Sequence, residues 1–477
     1  MGRGLNTGSL IRNALTAFSA QGVSMLVSVV VTLLVPKILG VESFGYWQLF
    51  VLYGLYSQFF MLGLFDGVYL VEGGKRRQDL DARSVTTQYA LGACMQLAIG
   101  LAIALLAVFT ASSAERAFVL FAFAVYLVLY NLALALGYVF QAVNETRTFS
   151  YSVMLDRLAF LVPLVVLVAL GVSDFRVYIL FYLAAKAVAL VYCLWKARDI
   201  LSAGLYPLSK GVGLCARSIR IGIKLTVAVV ADTLILGGAR MLIDSVWGIE
   251  VFGEVSFAFS LMSFFVAFVA QACMVLFPAL RQSSDDSSRR AYTLMRDALE
   301  LFFPVVYLLY FPGVVALTAW LPQYADSMRY LAMLLPICAF DSKMNVCSAT
   351  YMKVLREERK LLSVNVATLI AAAGVSFAGA FLIGSPDAVV LGVTGCIVAR
   401  SLYSEVWLDR KLGVGASPLM VTELVLTCCF VGLSLFLDTL PGLLMYAVLC
   451  LAYLFKGRAI ARSVITQLKS ALFKRGS

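Results

Sequence analysis

Fourteen apolar segments, joined mostly by short polar connections, decide the environment in which this chain can fold. They lie at about residues 12–36, 43–70, 85–110, 118–142, 150–172 and 174–195, then 217–243, 250–279, 297–320, 326–352, 361–384 and 386–408, and finally 419–437 and 440–455. A hydrocarbon layer about 30 Å thick takes a helix of roughly 20 apolar residues. With 62% hydrophobic residues and a mean hydropathy of +0.92, most of the chain belongs in lipid. Within lipid a helix satisfies its own backbone N–H and C=O groups. The expected fold is an all-α integral membrane protein with 14 transmembrane helices. The first segment is too long for the core of a signal peptide and no convincing cleavage site follows it, so it is read as a span.

The segments repeat. Between the first and second, L-G-V-E-S-F-G-Y-W runs from 39 to 47; between the seventh and eighth, S-V-W-G-I-E-V-F-G runs from 245 to 253. Gly40, Glu42, Phe44 and Gly45 thus return as Gly248, Glu250, Phe252 and Gly253, each 208 residues later. Ile11 and Arg12 stand in the same register with Ile219 and Arg220. Later, Glu145 and Arg147 match Glu357 and Arg359 at an offset of 212. A shared polar turn between apolar runs is the mark of a duplicated unit. Six spans per copy bring both copies into the membrane from the same side, as parallel repeats. The expected organisation is a six-helix lobe at 1–195, a cytoplasmic linker at 196–216, a second six-helix lobe at 217–408, two further helices at 419–455 and a basic cytoplasmic tail at 456–477, with a central cavity between the lobes.

Basic residues set the orientation, because cytoplasmic connections of membrane proteins are enriched in Lys and Arg. Alternate connections hold Lys75, Arg76, Arg77, Arg147, Lys196, Arg198, Arg281, Arg289, Arg290, Arg296, Lys353, Arg359, Arg410 and Lys411, while the intervening ones hold Lys37, Arg116, Arg176 and Arg329. Both termini are therefore expected in the cytoplasm. In the tail, Ile460, Val464, Leu468 and Leu472 recur every four residues among cations, a pattern that fits a helix on an anionic leaflet or a solvated tail. The ten cysteines form no C-x-x-C pair and there is no histidine, so they read as buried packing residues rather than metal ligands. No phosphate-cradling G-x-x-x-x-G-K-[ST] occurs, and the outer connections are too short to carry an extracytoplasmic catalytic domain. Enzymatic function and nucleic-acid binding are not expected; energy would come from a proton or sodium gradient or from the substrate gradient, without a cofactor.

L-G-V-E-S-F-G-Y-W opening the second span, G-L-F-D at 63–66 before a basic loop, and the segment and charge pattern along all 477 residues resemble the polysaccharide transporter (O-antigen flippase) family of the multidrug and toxin extrusion-like (MOP) superfamily. The resemblance implies two six-helix lobes with two extra C-terminal helices in a bacterial inner membrane. It implies transfer of an undecaprenyl-pyrophosphate-linked oligosaccharide from the cytoplasmic to the periplasmic leaflet for O-antigen, capsule or exopolysaccharide synthesis. The expected partners are that lipid-linked substrate, membrane lipids and polysaccharide polymerase and chain-length proteins, with the transporter itself a monomer.

Charges inside the spans are the remaining signal, since an isolated one near the bilayer centre costs several kcal/mol. Lys186 lies ten residues from both Arg176 and Lys196, and Arg400 occupies the corresponding place 214 residues later. Lys224, Asp232 and Arg240 are spaced by eight along the seventh segment, which fits one broad polar face on a cavity-lining helix. Asp156 and Arg157 are adjacent, Asp341 and Lys343 nearly so, and Asp66, Glu254 and Glu405 sit near span ends, where a hydrated face suits them. Two accounts are open. Lys186, Arg400, Lys224, Arg240 and Arg157 suit the anionic head of a lipid-linked pyrophosphate, with Asp66, Asp156, Asp232 and Asp341 as ion-coupling or pairing groups. Alternatively the cations pair structurally with those acids, and the acids of an organic-cation antiporter of the same superfamily bind proton or sodium. A scaffold for a polysaccharide synthesis complex would leave the buried charges without a purpose.

Overall fold

The computed structural model describes the backbone of residues 7–280 and 285–473. Helices α1 (Thr7–Leu55), α2 (Leu64–Glu72), α3 (Ala82–Thr110), α4 (Ala114–Ala142), α5 (Thr146–Ala169), α6 (Phe175–Lys196) and the single turn α7 (Arg198–Leu201) lead to the long α8 (Leu208–Leu280). They are followed by α9 (Asp285–Tyr307), α10 (Tyr310–Trp320), α11 (Ser327–Lys343), α12 (Thr350–Val354), α13 (Glu358–Ala378), α14 (Pro386–Leu412), α15 (Met420–Phe436), α16 (Thr439–Lys456) and α17 (Arg458–Phe473). Among the described residues there is no strand. By length and apolarity nine of these helices can cross a membrane, or ten if Arg289–Tyr307 and Tyr310–Trp320, bent by 43°, count as one span. The expected segments fall largely on helix, with breaks inside the second (43–70) and the ninth (297–320), and α1 and α8 each run from one segment into the next across a turn.

The reason is glycine. Gly40 interrupts α1 at φ 73°, ψ 175°, and Gly248 interrupts α8 at φ 84°, ψ −175°. That region is closed to side chains with a Cβ, so the turn needs glycine at both places. The 208-residue repeat therefore corresponds to one backbone device used twice. The 212-residue repeat does too: Asn144 and Arg356 are both left-handed, at φ 62° and 57°. After each, the next amide reaches back five residues, Glu145 to Phe140 O at 2.7 Å and Glu357 to Met352 O at 2.8 Å. The side chains of Arg12, Cys273, Leu468 and Leu472, and Arg281 entirely, lie outside the described residues.

The chain divides into two compact units, Met1–Thr233 and Leu234–Ser477. The division falls within α8 rather than in the linker expected at 196–216, because linker and early α8 are fastened to the N-terminal helices. Three consecutive residues of α3 do much of this. Thr86 Oγ1 donates to Ile200 O at 2.7 Å, Thr87 Oγ1 accepts from the Tyr206 amide at 2.8 Å, and Gln88 Oε1 accepts from Ser218 Oγ at 2.6 Å. Outside the spans, Arg77 pairs with Asp199 at 2.6 Å and pulls its carboxyl down to about 2 by hydrogen bonding. A lowered carboxyl contributes its stability above its ordinary range and loses it only as pH falls through about 2, so this strap holds at any physiological pH.

Within the N-terminal unit α2 and α8 cross backbone to backbone. A Cβ on Gly222 would overlap the Gly63 carbonyl oxygen and stand 2.6 Å from the Gly67 nitrogen, and a Cβ on Gly67 would overlap the Ser218 carbonyl. Small residues four apart on both helices permit this approach. Gly222→Ala is expected to cost about 1–3 kcal/mol in thermal unfolding of the detergent-solubilised protein through overpacking. Gly213→Ala, where an added Cβ meets nothing within 4 Å, is the control expected to melt like the wild type.

The C-terminal unit has its own apolar centre, in which Phe430 of α15 lies 4.7 Å from Tyr307 and 5.4 Å from both Tyr310 and Tyr446. α17 is tied down rather than solvated at its start: Val464 is buried, and Gly457 before it lies close to Leu301 of α9. Of the cysteines, Cys193, Cys338, Cys347 and Cys450 are buried as expected, whereas Cys94 and Cys428 are exposed on helix surfaces. Exposed apolar thiols suit helices whose outer faces meet lipid rather than water.

Candidate functional site

In the N-terminal unit the middle of α6 meets the middle of α5. The Lys186 ammonium donates to Asp156 Oδ2 at 2.7 Å, with the two side chains 5% and 13% exposed. Three tyrosine rings surround the same nitrogen, Tyr182 at 4.6 Å, Tyr130 at 5.5 Å and Tyr126 at 5.9 Å to the ring centroids. Each is within the range at which a ring face attracts a cation. The cage is held by ring packing, with Trp47 of α1 stacked on Phe160 at 5.9 Å and meeting Tyr182 edge-on at 5.7 Å. Arg157, next in the chain to Asp156, has its Nε buried without a hydrogen-bond partner, as does Asp156 Oδ1. Lys186 and Arg157 thus both lie within electrostatic reach of one carboxylate, whose hydrogen bond comes from Lys186.

Arg400 of α14 donates from Nη2 to Asp341 Oδ1 of α11 at 2.5 Å and from Nη1 to Asn365 Oδ1 at 3.4 Å. The sequence-matched cations Lys186 and Arg400 are therefore both buried and both paired with an aspartate of their own unit, the first across α6–α5 and the second across α14–α11. The pairing account of these two residues describes their geometry.

The expected polar face on the seventh segment is not uniform. Lys224 and Asp232 are exposed, while Arg240 is buried, its Nε donating to Ser256 Oγ at 3.3 Å and its guanidinium 4.7 Å from the Phe259 ring. Eight residues is slightly more than two helical turns, so successive members drift round the helix and meet different surroundings. Asp66 is half-buried at the start of α2 and accepts from Thr226 Oγ1 at 3.2 Å.

The densest charge cluster was not singled out from the sequence. Lys343 of α11 lies 2.8 Å from Glu423 of α15, 2.9 Å from Glu405 of α14 and 3.3 Å from Glu300 of α9, all four side chains at most 4% exposed. Ser417 Oγ also donates to Glu300 Oε2. One turn away, Arg296 donates to Asp409 at 2.9 Å and to Gly415 O at 3.0 Å, and Tyr292 donates to Asp409 at 2.9 Å. Two expectations are corrected here. Glu405 is not on a hydrated face but 97% enclosed within a helix bundle, and Arg296 is not a connection residue but a buried clamp between α9 and the α14–α15 turn. Asp341 and Lys343, two apart on a helix, diverge as such positions do, one to Arg400 and the other to the glutamates.

Solved structures similar over most of the chain include two membrane transport proteins. An inward-facing multidrug resistance MATE family transporter of the MOP superfamily covers 84% of this chain and 98% of its own, at 11% identity and a TM-score of 0.58. The lipid II flippase MurJ in its inward closed conformation covers 94% and 100%, at 12% identity and a TM-score of 0.57. The chain shares the fold of these two membrane proteins. No family model matches the sequence, and no curated protein sequence matches it. With nine or ten helices among the described residues long and apolar enough to cross a bilayer, the chain is a multi-pass membrane protein.

Proposed function

We propose that the protein is a flippase that carries an undecaprenyl-pyrophosphate-linked oligosaccharide from the cytoplasmic to the periplasmic leaflet of a bacterial inner membrane, for surface polysaccharide synthesis. The observation that carries this reading is the excess cation beside Asp156: Lys186 and Arg157 face one carboxylate among three tyrosines, a mid-span site with a positive surplus. A diphosphate is the natural complement, because a guanidinium offers it paired donors and the tyrosine hydroxyls add neutral ones. The likeness to a lipid II flippase supports the class of substrate. In this reading fourteen spans form two six-helix lobes and two extra helices, with both ends cytoplasmic. The monomer works by alternating access, coupled to a proton or sodium gradient and assisted by polymerase and chain-length proteins.

In cells that depend on this protein, Arg157→Ala is expected to leave lipid-linked oligosaccharide on the cytoplasmic face, unreachable by an impermeant lectin on spheroplasts. Arg157→Lys should keep part of the activity, because charge is retained while the paired donors are lost. Wild-type export by Arg157→Ala would overturn the reading. The tyrosine cage gives the antiporter alternative a specific footing, since an organic cation could take the place of the Lys186 ammonium against the rings. Efflux of a fluorescent organic cation, lost in Tyr182→Leu while oligosaccharide export persists, would favour it.

A further inference from the structure

At the basic end of the N-terminal unit the start of α5 lies beside the end of α6, leaving a pocket of about 410 Å³ lined by Glu145, Arg147, Thr148, Tyr151, Tyr192 and Lys196. Its charges are unequally matched. Glu145 is already taken by Arg77, which pairs with it at 2.6 Å. Arg147 donates to the Tyr151 hydroxyl at 2.9 Å, and its Nε is buried with no hydrogen-bond partner. The Lys196 ammonium sits over the Trp195 ring at 4.3 Å and the Tyr192 ring at 5.8 Å, contacts that attract a cation but accept no proton in a hydrogen bond. Two cations therefore enter one pocket without a carboxylate of their own, accompanied by two phenolic hydroxyls and a threonine.

Such a set fits a compact oxyanion with several acceptor oxygens, which is a phosphate. The surroundings indicate where the phosphate comes from. Trp195 is 55% exposed and Tyr151 41%, and aromatic rings beside cations at the end of a span mark the headgroup level of a bilayer. One and two turns deeper on the same face of α6, Val191 is 64% and Val188 44% exposed, an apolar track suited to acyl chains. We infer that this pocket binds the phosphate of an anionic phospholipid from the leaflet at the basic end, with Arg147 and Lys196 on its oxygens and the chains along Val191 and Val188. The inference is independent of what the protein transports.

Delipidated wild-type protein, titrated in native mass spectrometry with phosphatidylglycerol and with phosphatidylcholine of the same chains, is expected to take up phosphatidylglycerol saturably and preferentially. Lys196→Gln and Arg147→Gln should each weaken it about fivefold, since a Lys or Arg near an anionic headgroup is worth roughly one unit of this kind. Lys353→Gln, an exposed cation of the C-terminal unit, should leave it unchanged. Unchanged phosphatidylglycerol affinity in the double variant would overturn the site. Equally tight, Lys196- and Arg147-dependent binding of inorganic phosphate in the same titration would overturn the lipid as its source. Should Arg147→Gln fail to fold, Lys196→Gln decides alone, because its ammonium makes only ring contacts in the structure.

Discussion

Lys343→Met is expected to lower the stability of the solubilised protein by about 3–5 kcal/mol, because removing the one cation strands buried carboxylates. Three glutamates from three helices converge on this nitrogen within 3.3 Å, and the side chains of all four residues are at most 4% exposed. Charge counting makes the effects asymmetric. Glu405→Gln removes one of three acids and leaves two against the lysine, so it should cost little. Lys343→Met combined with Glu405→Gln and Glu423→Gln should recover most of the loss, since the remaining Glu300 keeps its Ser417 hydroxyl. Thermal unfolding across this series provides the check. A single Lys343→Met that melts with the wild type would mean that the cluster does not depend on its cation.

That cluster also shows where the sequence stops being readable. Hydropathy places the long apolar helices, since a membrane span is marked by its own residues alone, but not the breaks inside 43–70 and 297–320. The turn glycines are equally local: Gly40 and Gly248 announce themselves because only glycine takes the conformation both adopt. Glu300, Lys343, Glu405 and Glu423, by contrast, come from four helices, and no spacing rule links residues that meet only after the bundle packs. The available hint was that each is a charge inside or at the edge of an apolar run, and such charges require partners. Near a span end, that hint was read for Glu405 as access to water, which the packing of α9, α11 and α15 around it removes. The approach of Gly63 and Gly67 to Gly222 was not read from the sequence, because the crossing is tertiary.

The sequence-matched cations carry a second lesson, because a shared register did not produce a shared partner. Lys186 and Arg400 occupy matching helices, yet the aspartate comes from the preceding helix α5 in one unit and from α11, beyond α12 and α13, in the other. At the first turns of α6 and α14 the polarity itself is exchanged. Arg176 on α6 pairs with Glu115 on α4 at 3.0 Å, whereas Asp387 on α14 pairs with Arg329 on α11. A duplicated backbone fixes where a charge pair can form. Which helix supplies which sign can change afterwards, provided that the pair stays neutral.

Lys186→Ala is accordingly expected to destabilise the protein by about 3–5 kcal/mol, because it leaves Asp156 buried without the ammonium that holds it at 2.7 Å. Arg157 lies within electrostatic reach of Asp156, but the hydrogen bond to that carboxylate comes from Lys186 and the Arg157 Nε has no partner, so Arg157 should rescue only part of this. Adding Asp156→Asn removes the stranded charge and is expected to restore most of the melting temperature. The double variant then separates the two cations. It keeps Arg157 and hence the same surplus of one positive charge in the tyrosine-lined site, so oligosaccharide export should persist at a reduced rate if Arg157 is the group that meets the pyrophosphate. A double variant that folds and exports nothing would instead place the substrate on Lys186 itself, and would make the Asp156 pair a resting state that the substrate must open.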